Sequence, residues 1–241
     1  MTFPTVVAEN GGNSVVDQTS VTVNLPDGSN VSGRRILCFF TSDGSGETIT
    51  FPAGWTKILA DGGTGFTSVI FYHDTDGTEG YASTGATITA TITSVEMSAH
   101  TTYLISGFET STAPAVGTAT TGTSTAPDSG ALNPAGWNVE DTLWFTFAAL
   151  NGASATTPRI TVYPTNYTNG RSDFAADGNG VTQGVARREN ATASEDAGAF
   201  TSGTSVAWRA APVGIRPAAA AAGIVNKITS VKQALNRSTN F

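Results

Sequence analysis

Reactive chemistry is scarce in this chain. Its 241 residues include one cysteine, two histidines and only 13% charged side chains. The lone Cys38 has no partner for an internal disulfide, so the fold is not cross-linked and suits synthesis in a reducing compartment. It lies in the apolar run RRILCFFT, where a thiol acts as a small buried hydrophobe. No apolar run approaches the roughly 20 residues of a membrane span. The opening MTFPTVVAENGG has neither a basic nor an apolar leader region, so no signal peptide is expected. The net charge of −7 argues against a nucleic-acid partner, which would need a basic face.

Catalytic motifs are equally sparse. There is no Gly-x-Ser-x-Gly elbow and no His-Glu-x-x-His zinc pattern. His73 and His100 read as plain strand residues. Glu79, Glu96, Glu140 and Asp141 are the carboxylates available for glycoside chemistry, but nothing around them in sequence sets them apart. Glu140-Asp141 reads as a solvated pair where a turn becomes a strand. The expectation is a non-enzyme without a cofactor. Calcium is the one ion that a local pattern suits: Asp74, Asp76 and Glu79 put three carboxylates and Gly77 within six residues, an oxygen-rich turn too short for an EF-hand.

What the chain has in abundance is turn and strand chemistry. It holds 27 glycines with much Thr and Ser, and short alternating apolar runs recur along it. Thr5–Ala8 reads as a short strand closed by Asn10-Gly11-Gly12. SVTVNL, over residues 20–25, alternates cleanly. ATITATITS places Ala86, Ile88, Ala90 and Ile92 on one face, and residues 98–107 alternate again. Arg35–Thr41 is apolar on both faces, so it should be a central strand covered on both sides. No helix is expected before residue 217.

This central stretch occurs twice. Pro26–Gly44 and Pro134–Gly152 align at an offset of 108, matching Pro26 with Pro134, Gly28 with Gly136, Phe39 with Phe147 and Gly44 with Gly152. Ile49–Thr56 is echoed by residues 161–168 at an offset of 112, which pairs Trp55 with Tyr167 after a proline turn. The expected fold is an all-β antiparallel sandwich, jelly-roll-like, built from two pseudo-repeated halves at about 18–107 and 132–217. A Thr/Ala/Pro-rich connection with an edge strand near residues 116–121 joins them. Two arrangements fit: each half closing alone, or the halves interleaved in one pseudo-twofold sandwich. The second gives the doubly apolar strands the cover they need.

Aromatic rings could stack on carbohydrate. Trp55 and Tyr167 occupy equivalent turn positions and read as structural plugs, and Trp144 and Trp208 lie within strands. Trp137, in a turn, is the ring expected to be exposed and the candidate glycan contact.

Beyond Pro217 the pattern changes. Residues 218–241 carry Lys227, Lys232 and Arg237 and no acid, a charge of +3 that leaves −10 for residues 1–217. Ile224, Ile228, Val231 and Leu235 fall on one helical stripe with the bases off it. This predicts a short amphipathic helix that needs a partner surface, for attachment or oligomerisation.

The run LPDG…ILCFF, then ITFPAGWTKI, then VIFYHDTDGTEG, with its Trp/Tyr-bearing mirror, resembles β-sandwich domains in structural proteins of tailed bacteriophages and related gene-transfer particles. The resemblance spans about residues 18–217. It implies a virion protein assembled in the host cytoplasm, without enzymatic activity or a resident cofactor. Capsid decoration or spike is the expected role, with tail fibre or appendage, or a carbohydrate-binding adhesion module, as alternatives. The implied partners are other virion proteins, further copies of the chain, and host cell-surface glycans.

Overall fold

A computed structural model describes residues 1–152, 159–175 and 180–219. The structure is all-β and antiparallel, with no helix among the described residues. The predicted tail helix, with Ile224, Lys227, Ile228, Val231, Lys232, Leu235 and Arg237, lies outside the described residues.

The chain completes one sheet before it begins the other. The first sheet uses β1 (Thr5–Asn24), β2 (Arg34–Asp43), β3 (Ile49–Thr50), β4 (Thr56–Gly62), β5 (Phe66–Thr75) and β6 (Thr87–Ser106). Its order is β1-β6-β2-β5-β4, with β3 on β6. The second half contributes β7 (Ala115–Val116), β8 (Thr120–Ser124), β9 (Ala131–Leu132), β10 (Glu140–Asn151), β11 (Ile160–Val162), β12 (Thr168–Ala175), β13 (Val181–Thr192), β14 (Glu195–Asp196), β15 (Thr201–Ser202) and β16 (Val206–Ile215). Its main sheet runs β12-β13-β10-β16-β7, with β8 also on β16. Read from the opposite edge, the two orders match strand for strand, β2 answering β10, β5 answering β13 and β6 answering β16. The edges also stack as a twofold requires, with β1 near β12 and β4 near β7. The halves stack rather than interleave. The jelly-roll analogy therefore holds for the two layers and not for the connectivity.

Strand parity explains the doubly apolar strands. Leu37 and Phe39 of β2 point inward, as do Leu143, Phe145 and Phe147 of β10, and together with Ile70, Val185 and Val213 they form one core shared by both sheets. The Phe39 and Phe147 rings lie 5.2 Å apart across the interface. Fully burying each such ring contributes about 1.5–3 kcal/mol. Ile36, Cys38 and Phe40 point the other way, into a second core.

That second core exists because β1 and β6 arch over. Both are single 20-residue strands, where the sequence pattern suggested two short strands each. Past residues 14–18 and 93–97 the paired strands fold back, laying Val21, Val23, Ile88, Ala90 and Ile92 on the outer face of the first sheet. Asn10 Nδ2 donates to Leu25 O (2.9 Å) and Asn24 Nδ2 to Gly11 O (3.0 Å), stitching the two limbs together. The outer face of the second sheet is covered by two small ribbons. β11 and β15, with Phe200, close over Leu150, while β9 and β14 close over Trp144.

Four turns share one chemistry. Ser29, Trp55, Trp137 and Tyr167 each donate a backbone N–H to the carbonyl of a proline three residues back. The third residue of each turn has positive φ: Gly28, Gly54, Gly136 and Asn166. This is the type II pattern, which requires Gly or Asn there.

The strands define two poles about 30 Å apart, the length of a ten-residue strand. At the proximal pole, Ala218 N donates to Gly107 O (2.9 Å), Pro217 bridges Phe108, and the Met1 amine lies 3.5 Å from Asp141. Residues 1–4 and 216–218 thus meet around the 107–109 connection. The distal pole holds the ends of β2 and β10 and the tip of the β1–β6 arch.

Candidate functional site

The acidic turn after β5 is built from its own hydrogen bonds. Glu79 accepts from the backbone N–H groups of Asp76 (2.7 Å) and Gly77 (3.0 Å), and Asp76 accepts from the Thr78 amide (2.7 Å). His73 sits between Glu79 Oε1 (3.1 Å) and Gly54 O (2.9 Å), stacked on Trp55 at 5.4 Å. Trp55 in turn donates to the Tyr81 hydroxyl (3.3 Å). Asp74 is committed elsewhere, to a bidentate pair with Arg35 at 2.6 and 2.7 Å. The three carboxylates therefore serve separate purposes. No group of three metal-ligating side chains among the described residues is placed to hold an ion.

Arg35, absent from the sequence-based candidates, is 1% exposed. Its guanidinium lies 5.0 Å from the Tyr72 ring and 4.2 Å from the Phe108 ring, and it donates to Thr112 O (3.0 Å). It pins the connection between the halves to the proximal pole.

Trp137 is half-buried rather than free. It packs 6.3 Å from Trp144, closes over Gly214, and has the Arg216 guanidinium 5.9 Å from its ring. It fills the same turn position as Trp55 and acts as a plug. Glu140, read as a solvated acid, is buried and accepts a bidentate pair from Arg216 at 2.6 and 2.7 Å. Those hydrogen bonds hold its carboxyl below the usual range, since they favour the charged form.

The polar groups between the sheets were also unexpected. Gln183 donates to Phe39 O (3.2 Å) and Thr101 Oγ1 (2.8 Å) and accepts from Thr41 (2.9 Å). Thr101 continues to Asp173 (2.6 Å), which pairs with Arg171. On the other side, Arg209 of β16 reaches across to the carbonyls of Ser68 (2.6 Å), Ala60 (2.9 Å) and Gly62 (3.0 Å). These bonds fix the register of one sheet on the other.

A polar cleft of about 270 Å³ opens at the β1–β12 seam, lined by Thr5, Val6, Asn169, Arg187, Arg188 and Glu189 among others. Its arginines are already paired, Arg187 with Glu9 (3.0 Å) and Arg188 with the buried Glu195 (2.9 Å). At the arch tip, burial raises the carboxyls of Asp43 and Glu96. Neighbouring acids add to this, Asp17 for both and also Asp43 and Glu47 for Glu96. Compared with known protein families, characterised proteins and solved structures, the chain matches none.

Proposed function

We propose that this chain is a non-enzymatic display domain of a virion surface, a capsid decoration or spike component attached at its proximal pole. One observation carries the reading: residues 1–4 and 216–218 converge on the 107–109 connection, at one end of a rigid double-cored sandwich. A body held there presents its distal loops outward. The described chain reaches residue 219 at that pole, and the sequence that follows carries Lys227, Lys232 and Arg237 and no acid, a charge suited to an acidic neighbour. The sequence resemblance to phage sandwich domains points to the same role. Within the body, Arg35, Gln183, Arg209 and Arg216 are spent on holding sheets and connections, as a scaffold requires.

The test is particle composition. Particles released by the producing cells are banded on a density gradient, analysed by mass spectrometry and labelled with antibody. The expected result is many copies on the particle surface. The 220–241 deletion should remain folded and soluble but absent from particles. Finding the intact protein only outside particles would refute the reading, and normal incorporation of the deletion would refute attachment through the tail.

A further inference from the structure

The seam between the two sheets is open at one corner. β12 begins at Thr168, opposite Arg187, while β13 runs on to Thr192. Past Arg187, β13 has β10 on one side and no described strand on the other, and β1 is the edge of the facing sheet. The polar cleft of about 270 Å³ lies at this gap.

Its two arginines are preset. Neighbours on a strand send their side chains to opposite faces, yet Arg187 and Arg188 both line the cleft because it sits at the open strand edge. Each guanidinium is held twice. Arg187 Nη1 donates to Glu9 (3.0 Å), and its Cζ lies 5.6 Å from the centre of the Tyr103 ring. Arg188 Nη1 donates to Glu195 (2.9 Å), and its Cζ lies 6.0 Å from the Tyr167 ring. The Nε and Nη2 groups of both have no hydrogen-bond partner among the described residues. That pair of parallel donors is the fork with which arginine takes a carboxylate.

A second, independent feature points to the same place. Asn166 and Asn169 are the non-glycine residues with positive φ among the described residues. Asn166 belongs to its type II turn. Asn169, at φ 48°, lies instead in the register break of β12 between Thr168 and Arg171. Such a break re-aims a side chain, and left-handed backbone is unfavourable for a residue with a Cβ unless its surroundings hold it. The outcome here is that Asn169 lines the cleft. Its Nδ2 donates to Thr168 (3.3 Å), and its Oδ1 has no partner among the described residues.

The mixture of groups selects the ligand. Two open forks call for an anionic oxygen pair. Exposed Glu189, also in the lining, would repel a ligand charged all round but accepts from hydroxyls, as does Asn169 Oδ1. The volume suits one small molecule rather than a protein surface. We propose that this cleft binds a sugar acid such as a uronate, its carboxylate on Arg187 and Arg188 and its hydroxyls on Asn169 and Glu189. The site is distinct from the Trp137 turn and independent of attachment at the proximal pole.

The experiment titrates the isotope-labelled full chain with galacturonate, galactose and inorganic phosphate, followed by amide NMR shifts and calorimetry. Galacturonate is expected to move the amides of residues 168–170 and 187–189 and to bind roughly tenfold more tightly than galactose, the difference made by hydrogen bonds to a charged group. Arg188→Lys keeps the charge opposite Glu195 but removes the fork, and should erase most of that preference. Asn169→Gly accepts the same φ without strain, so it should melt no lower than wild type while binding galacturonate severalfold more weakly. The proposal is overturned if galacturonate leaves those amides unmoved, if galactose binds equally well, or if phosphate binds as tightly as galacturonate. Should Arg188→Lys fail to fold, Asn169→Gly decides: wild-type affinity in that variant refutes the assignment.

Discussion

His100 makes the sandwich acid-sensitive in a defined window. It is 1% exposed on the outer face of β6, beneath the returning limb of β1. Its Nε2 accepts the backbone N–H of Asn24 at 2.9 Å, which requires that nitrogen to be unprotonated, while Nδ1 has no partner. Burial is the main reason its pKa falls from 6.5 to about 4; Asp173 opposes the shift and Arg171 adds to it. The folded pKa lies below the unfolded one, so the unfolded chain takes the proton first. The His100 contribution is thus intact above about pH 6.5, is lost as pH falls toward 4, and changes no further below that. At about 1.4 kcal/mol per unit, the full loss is about 3 kcal/mol. Urea unfolding followed by tryptophan fluorescence from pH 7.5 to 4 measures it. His100→Gln keeps an acceptor for Asn24 and does not titrate. The stability gap between wild type and variant should therefore change by about 3 kcal/mol across the window. A gap that stays constant with pH refutes the assignment.

Other perturbations follow from the same packing. Arg209→Met strands three carbonyls between the sheets and should lower stability by about 3 kcal/mol in denaturant titration, with Arg209→Lys recovering part of the loss. Gly54→Ala and Gly136→Ala force a side chain into positive φ and should each cost about 1 kcal/mol by calorimetry, because the two turns are the same structure. Cys38 is fully buried and its thiol pKa is raised by that burial, so it should resist a thiol reagent until denaturant is added.

The sandwich was legible in the sequence because its strands obey parity. Arg35–Thr41 is apolar on both sides, and two cores cover it. The arch was not legible. Asn10-Gly11-Gly12 reads as a turn, yet the chain runs straight through it, paired to Thr102, Thr101 and His100; glycine is needed at residue 12 for close approach, since a Cβ there would lie 2.6 Å from Asn24 Nδ2 and 3.0 Å from the His100 ring. The polar clamps do carry a signal in the sequence. Arg35, Gln183 and Arg209 each share parity with inward apolar neighbours, Leu37, Val185 and Ala211, and a polar residue on an apolar parity marks a buried bond. Trp137 misled because an aromatic ring in a turn suggests exposure. Its repeat of the Pro-Ala-Gly-Trp turn at residues 52–55 would have identified it as a plug. Glu140 misled because its partner, Arg216, is distant in sequence and adjacent only once β10 lies beside β16.

The central structural claim is that each half supplies one sheet and that the two share a single inner core. Native-state hydrogen exchange on Phe147→Ala tests it most directly. Removing that ring from β10 should cost about 3–5 kcal/mol. Because Phe39 packs on Phe147, amides of β2 and β6 in the other half should lose protection by the same amount as those of β10 and β16. Loss confined to the second half, with β2 and β6 unchanged, would mean two independent domains and would contradict the account.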